Sequence, residues 1–283
     1  TISRAVVILG IDSVIDMAKA VNISEKMDTA GKLNWDVPSG KWLVVRYVCF
    51  PTGQPLIAHS PLSNGPMIDH FNATATEIHI TYFLEKLKKE LGDLSKTAFK
   101  RLYTDSYEVR GQLWTPAMAE EFKKRIGYDL IPFLPALNGY IVKDKETTER
   151  FIFDFNKILA DLITENHYAK AVEICHKYGI EFHAEAAGPG KPMHNCPFES
   201  LRSSGVLDAP RGEFWHTQEM PGKLKISAEK FLHYDSMLQV IKGVSSAAHI
   251  YNRKYVDAEA FTSTWLWQEG LYDLKPTADR AFC

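Results

Sequence analysis

Apolar positions along the chain switch repeatedly between two spacings, and the switches divide it into alternating elements. Over residues 74–91 and 147–177 they recur at helical spacing. In the longer stretch Phe155, Ile158, Leu159 and Leu162 fall at i, i+3, i+4 and i+7, which makes one face apolar and obliges it to pack. Gly179 follows where a helix needs a left-handed terminal residue. Thr115 and Pro116 supply an N-cap and a first-turn proline for a helix ending near Gly127. A segment around 131–137 follows, and residues 227–251 are helical again. Between the helices lie four short runs rich in β-branched and aromatic residues, at 99–108, 180–188, 206–215 and 255–263. Buried strands of that length, separated by helices, predict a parallel sheet of βα units.

Residues up to about Gln54 pattern differently. Segments 6–9 and 42–48 read as strands, and the Asn34, Pro38 and Gly40 region between them has the chemistry of a tight turn. A Pro- and Gly-rich loop then runs through Pro66. The expectation is an α/β protein in which residues 56–283 form a (β/α)8 barrel of the TIM type. Too few strands can be counted to close it, so the barrel is expected to be incomplete. Residues 1–55 read as the end of an accessory β-rich module.

Composition narrows the function. Of 283 residues 45% are hydrophobic, which is ordinary for a globular domain, and the formal charge of −2 gives no broad attraction for nucleic acid or an anionic membrane. Lys123, Lys124 and Arg125 fall on a solvated helix face. No apolar stretch approaches the roughly 20 residues needed to span a bilayer, so no membrane insertion is expected. Cys49, Cys175, Cys196 and Cys283 form no close-spaced pair, which argues against a zinc knuckle or a disulfide framework. The sequence lacks HExxH, Gly-x-Ser-x-Gly and GxGxxG motifs, and the Gly188 to Lys191 stretch lacks the full phosphate-loop spacing. No signal peptide opens the sequence, whose first residue is Thr1, a start that fits a removed leader or a missing N-terminal region; a secreted or periplasmic bacterial location is the expectation, with a cytoplasmic one as the alternative.

Carboxylates recur at the ends of the four strand-like runs, where a parallel βα sheet keeps its working groups. Glu108 ends the first run, three residues after Asp105. Three roles fit Asp105: binding substrate, holding Glu108, or satisfying backbone amides. His183 and Glu185 share one face of the second run, and Ala186, Ala187 and Gly188 beyond them allow close approach to backbone. Glu213 stands beside Phe214 and Trp215, a carboxylate at the rim of a flat apolar surface; the competing reading is a turn in which Arg211 pairs with Glu213. Asp257 and Glu259 alternate onto one side of the last run, a costly arrangement unless the pair binds a cation, meets a base or exchanges protons. Acids gathered at one rim with Trp and Tyr suit cleavage of a sugar chain, an oligosaccharide or polysaccharide.

Six motifs in order carry a resemblance: the Trp35 to Trp42 turn, Asp105-Ser-Tyr-Glu108, Trp114-Thr-Pro116 with Gly127-Tyr-Asp129, Gly212-Glu-Phe-Trp215, residues 246–251, and residues 258–263. Together they resemble glycoside hydrolase family 106, the α-L-rhamnosidases. The resemblance implies an inverting, calcium-dependent enzyme with a (β/α)8 catalytic barrel and accessory β-sandwich modules. Because the family's members are far longer, it also implies a fragment lacking the first strands and the closing strand. Carried over by motif, Glu108 resembles the general acid and Glu259 the general base. Glu213 resembles a residue of the calcium and sugar-hydroxyl site, with Glu185 as its expected companion. The roles of Glu213 and Glu259 are exchangeable, because the segment between Trp215 and Ser245 blurs the register. The expected sugar-contacting residues are Asp105, Tyr107, Trp114, His183, Trp215 and Asp257. Two alternatives stand: a retaining glycosidase with its acids about 5–5.5 Å apart, against roughly 6.5–9.5 Å for inversion, and an inactive carbohydrate-binding remnant.

Overall fold

The computed structural model of the protein describes residues 2–3, 14–15, 21–40, 42–56, 59–109, 111–188, 194–216, 234–263 and 268–283. In chain order the strands are β1 (Ile2–Ser3), β2 (Val14–Ile15), β3 (Val48–Cys49), β4 (Arg101–Thr104), β5 (Ile141–Val142), β6 (Glu181–Ala184), β7 (Ala209–Trp215) and β8 (Asp257–Thr262). The helices are α1 (Ala73–Leu91), α2 (Met118–Ile126), α3 (Lys145–Ile163), α4 (Lys170–Lys177), α5 (Ser200–Gly205), α6 (Tyr234–Ile250) and α7 (Leu271–Phe282). They group into two units, Thr1–Gly53 with Gln112–Leu159, and Gln54–Gly111 with Ala160–Cys283. This differs from the consecutive portions 1–55 and 56–283 expected from composition, because grouping follows contacts and not chain order.

In the first unit β1 pairs antiparallel with β3, and β2 pairs parallel with β5, a strand the sequence pattern did not announce. The expected strand over 42–48 contracts to Val48 and Cys49, and the one at 6–9 lies outside the described residues. The turn before β3 is closed by Trp42, whose indole N–H donates to the Pro38 carbonyl at 2.9 Å. α2 corrects another expectation: it starts at Met118, its N-cap is Ala117, and no side chain caps it. Thr115 is buried instead, and its carbonyl accepts from the Met118 N–H at 3.0 Å. Residues Ile131–Asn138 wind as a 3₁₀ helix, where Pro135 has no N–H to give to an α-helical ladder. The core here is aromatic, with Phe151 stacked on Phe133 at 5.4 Å and Phe122 tilted against it at 5.9 Å.

The second unit carries the sheet. Strands β4, β6, β7 and β8 lie side by side in that order and are parallel throughout. Among the described residues the expected eight-stranded barrel therefore corresponds to four strands of one parallel sheet in a mixed α/β fold. Alternation sends Leu102 and Phe182, paired in register, into the interior. Helix α6 packs on β7, and Gly212 permits it: a Cβ there would stand 3.3 Å from Val240 and Val244. Asn72 caps α1 by accepting from the Thr74 and Ala75 N–H groups at 2.9 and 3.4 Å.

The long helix expected over 147–177 exists as α3 and α4 joined by a π-helical turn, Thr164–Ala169. At that turn the buried Thr164 hydroxyl donates back to the Ala160 carbonyl at 2.8 Å and lies 2.7 Å from Ser203 Oγ, an insertion of the kind that disturbs a helical ladder. Gly179 ends α4 at φ 70°, and a Cβ there would meet the Ser95 Cβ at 2.6 Å, so both backbone and space demand glycine. Among the described residues no helix is long and apolar enough to cross a membrane.

Candidate active site

Asp105 and Glu185 directly follow β4 and β6, while Glu213 lies within β7 and Asp257 and Glu259 within β8. Alternation places Tyr103 and Asp105 on one face of the first strand and its continuation, His183 and Glu185 on the second, Arg211, Glu213 and Trp215 on the third, and Asp257 with Glu259 on the last. All of them belong to the second unit.

Local hydrogen bonds set the first segment. Asp105 Oδ1 accepts from the Tyr103 hydroxyl at 2.7 Å and from the Ser106 N–H at 2.8 Å, while Ser106 Oγ donates to Glu108 Oε1 at 2.8 Å. Burial, and then the bond to Asp105, pushes the Tyr103 phenol well above its ordinary range, so it stays a donor. Tyr107, expected to touch sugar, turns the other way: it is 4% exposed, with its ring against His70, His194 and Phe198 at 5.2, 5.5 and 5.2 Å. Its backbone is pressed by Gly188, where a Cβ would come within 2.9 Å of both Tyr107 N and O. Tyr107 thus anchors the loop that carries Glu108 and does not face the carboxylates.

Glu185 is the most constrained acid. It is 2% exposed, and neither carboxylate oxygen has a hydrogen-bond partner. Burial, followed by the charges of Glu213, Asp105 and Glu259, pushes its pKa up to about 8 against the pull of Arg211. One ligand oxygen each from Asp105, Glu185 and Glu259 lie within 4.8 Å of one another. Orphaned buried oxygens in a three-carboxylate cluster are what a hard, oxygen-seeking cation requires. The cluster differs from the expected pair of Glu213 and Glu185: Glu213 lies outside it, and Asp105 and Glu259 complete it.

Glu213 accepts from the Trp215 indole N–H. Burial raises its pKa, the Trp215 bond opposes, and the charges of Glu259, Glu108 and Asp105 add to the rise. Glu259 is tied at both oxygens, Oε1 accepting from Thr262 Oγ1 at 3.1 Å and Oε2 lying 3.5 Å from Arg211 Nη2. Asp257 Oδ2 lies 3.2 Å from Arg211 Nη1 and 2.9 Å from His183 Nε2, the latter off the line that a hydrogen bond needs. Burial lowers the His183 pKa, Asp257 opposes, and the charges of Arg211 and Arg101 add to the fall.

Arg211 itself overturns the turn reading. It sits inside β7 and pairs with Asp257 and Glu259 on the neighbouring strand, not with Glu213. Trp215 holds Glu213 at a register shift between Phe214 and Trp215, and Trp114 is a half-buried residue of the first unit. Pattern reading missed Tyr103, Ser106, Arg211 and Thr262. The alternation that found Asp105 and Glu213 pointed equally to Tyr103 and Arg211, two residues earlier on the same faces.

Known proteins match along nearly the whole chain. A sequence profile of glycoside hydrolase family 106, described as alpha-L-rhamnosidase, matches residues 4–283. A protein of Formosa agariphila named "Putative beta-glucuronidase" is 31% identical over 271 residues, which is 96% of this chain and 21% of that protein. The structure of a rhamnosidase from Novosphingobium sp. PP1Y is similar with a TM-score of 0.72 at 25% identity, over 94% of this chain and 25% of that one. The chain thus spans between a fifth and a quarter of the length of these relatives.

Proposed function

The chain belongs to glycoside hydrolase family 106, and on that premise we propose that its carboxylates hydrolyse terminal α-L-rhamnosyl bonds in oligosaccharides or polysaccharides by inversion, within a (β/α)8 barrel of which the described residues supply four strands. The observation that carries the reading is the gathering of acids from adjacent parallel strands: the charges of Glu213, Asp105 and Glu259 raise Glu185, and those of Glu259, Glu108 and Asp105 raise Glu213.

Glu108 is the general acid. Ser106 Oγ occupies its Oε1, which leaves Oε2 to carry the proton to the glycosidic oxygen. Glu213 is the general base, since it stands outside the three-carboxylate cluster and has Oε1 held by Trp215 with Oε2 left for water, and the charge of Glu108 is among those that raise it. This uses the exchange of Glu213 and Glu259 that the resemblance left open. Asp105, Glu185 and Glu259 are the residues that would hold calcium. Bound there, calcium supplies positive charge and oxygen-coordinating sites for vicinal sugar hydroxyls. Tyr103 orients Asp105, and Arg211 and Thr262 orient Glu259.

The Formosa agariphila relative's name favours a second reading, a β-glucuronide substrate. The intact protein, offered 4-nitrophenyl α-L-rhamnoside and 4-nitrophenyl β-glucuronide with and without a chelator, separates the two. Release from the rhamnoside, lost with chelator and restored by calcium, is expected. Release from the glucuronide alone would select the second reading, and sugar binding without release would identify a lectin-like protein.

A further inference from the structure

Arg211 is the arginine or lysine that pairs with the carboxylates of the site among the described residues. It is not a mobile surface side chain. Only 19% of it is exposed, its guanidinium lies 4.6 Å over the Tyr103 ring, and Nη1 and Nη2 reach Asp257 and Glu259 at 3.2 and 3.5 Å. Its Nε is buried without a partner. A buried donor left unpaired is a cost, so this position is not the one that best satisfies the arginine's own hydrogen bonds. It is a position that brings a fixed positive charge beside acids that would otherwise repel. Glu259 also belongs to the cluster with Asp105 and Glu185, so the guanidinium and a cation in that cluster would share one carboxylate.

We infer that Arg211 is a built-in counter-cation of the metal cluster: it holds Asp257 and Glu259 in place before metal arrives and weakens metal binding by sharing Glu259. The inference rests on the reading of Asp105, Glu185 and Glu259 as the calcium site. Its signature is a sign. A residue that merely supports the site weakens metal binding when removed, whereas a competing charge strengthens it, because like charges repel and the freed carboxylate turns wholly to the ion.

The test is calorimetric titration of the metal-stripped intact protein with calcium chloride, for the parent, Arg211→Met and Arg211→Lys. Arg211→Met is expected to bind calcium at least tenfold more tightly than the parent, and to melt lower than the parent when metal-free. Arg211→Lys keeps the charge and is expected to stay within about threefold of the parent's affinity. Should Arg211→Met fold only with calcium present, release of the ion to a fluorescent chelator replaces the titration, and release tenfold slower than in the parent is expected. Equal or weaker binding, or faster release, in Arg211→Met overturns the inference, as does a tenfold change in Arg211→Lys. A parent that binds no calcium removes the metal reading itself, and the inference with it, which distinguishes that failure from the failure of Arg211's role.

Discussion

Each acid of the site owes its behaviour to what touches it. Glu108 and Glu213 each have one oxygen held by a neighbour, Ser106 and Trp215, and the other free to move a proton. General acid or base catalysis is worth about 10² to 10⁴ in rate, so Glu108→Gln is expected to cut turnover by that order with little change in sugar affinity. The loss should shrink on an activated aryl leaving group, which departs with little protonation. Glu213→Gln should slow both substrates alike, and steady-state kinetics on a matched pair of rhamnosides checks the contrast. Glu185 differs in kind, since its buried oxygens have no partner at all. Glu185→Gln is therefore expected to weaken calcium about 10- to 100-fold in titration, the range seen when support for a metal site is removed, while the metal-free protein melts no lower than the parent.

At the scale of elements, the π-helical turn between α3 and α4 is the most informative departure from regularity. It carries His167, whose Nδ1 lies 3.4 Å from Thr76 Oγ1 and whose ring meets His70 at 4.7 Å. Burial, then the charges of His70 and His79, holds His167 well below the ordinary imidazole value of 6.5. Its folded-state pKa lies under its unfolded value, so the unfolded chain takes up the proton first. This group's stabilisation is complete above about pH 6.5 and is lost as pH falls beneath it. Melting temperature is expected to fall between pH 7 and pH 5, and less steeply in His167→Phe; parallel slopes in the two proteins would remove His167 as the cause.

For the molecule as a whole, the four parallel strands of the described residues bring like charges close together, and a cation bound among them would lower their repulsion. Calcium bound to the native state alone stabilises it by about 2.7 kcal/mol at a concentration one hundred times its Kd. A calorimetric melt of the intact protein is expected to shift upward with calcium and back with chelator. Proton NMR of the first sugar released is expected to show the anomer opposite to the substrate's, as inversion requires.

The sequence by itself determined the βα alternation, the helix α1 nearly to its ends, the C-terminal end of α6, and the acids at or near the strand ends. Each of these is written in short-range spacing: period two in residues 257–259, period near four from Phe155 to Leu162, and acids closing each apolar run. Helix breaks were harder to read, because Thr164 and Ser203 meet only in the folded chain and Thr115 is drawn inward by packing. Only the tertiary structure decided which acids are neighbours. Asp105, Glu185 and Glu259 come from three strands, and their approach within 4.8 Å depends on register and sheet order, which no single segment encodes. The same holds for Arg211, whose partners lie on the next strand, and for Tyr107, whose ring turns into the core beside His194. Local pattern identifies a charged or aromatic residue, and packing across strands decides whether it faces the substrate, a cation or the interior.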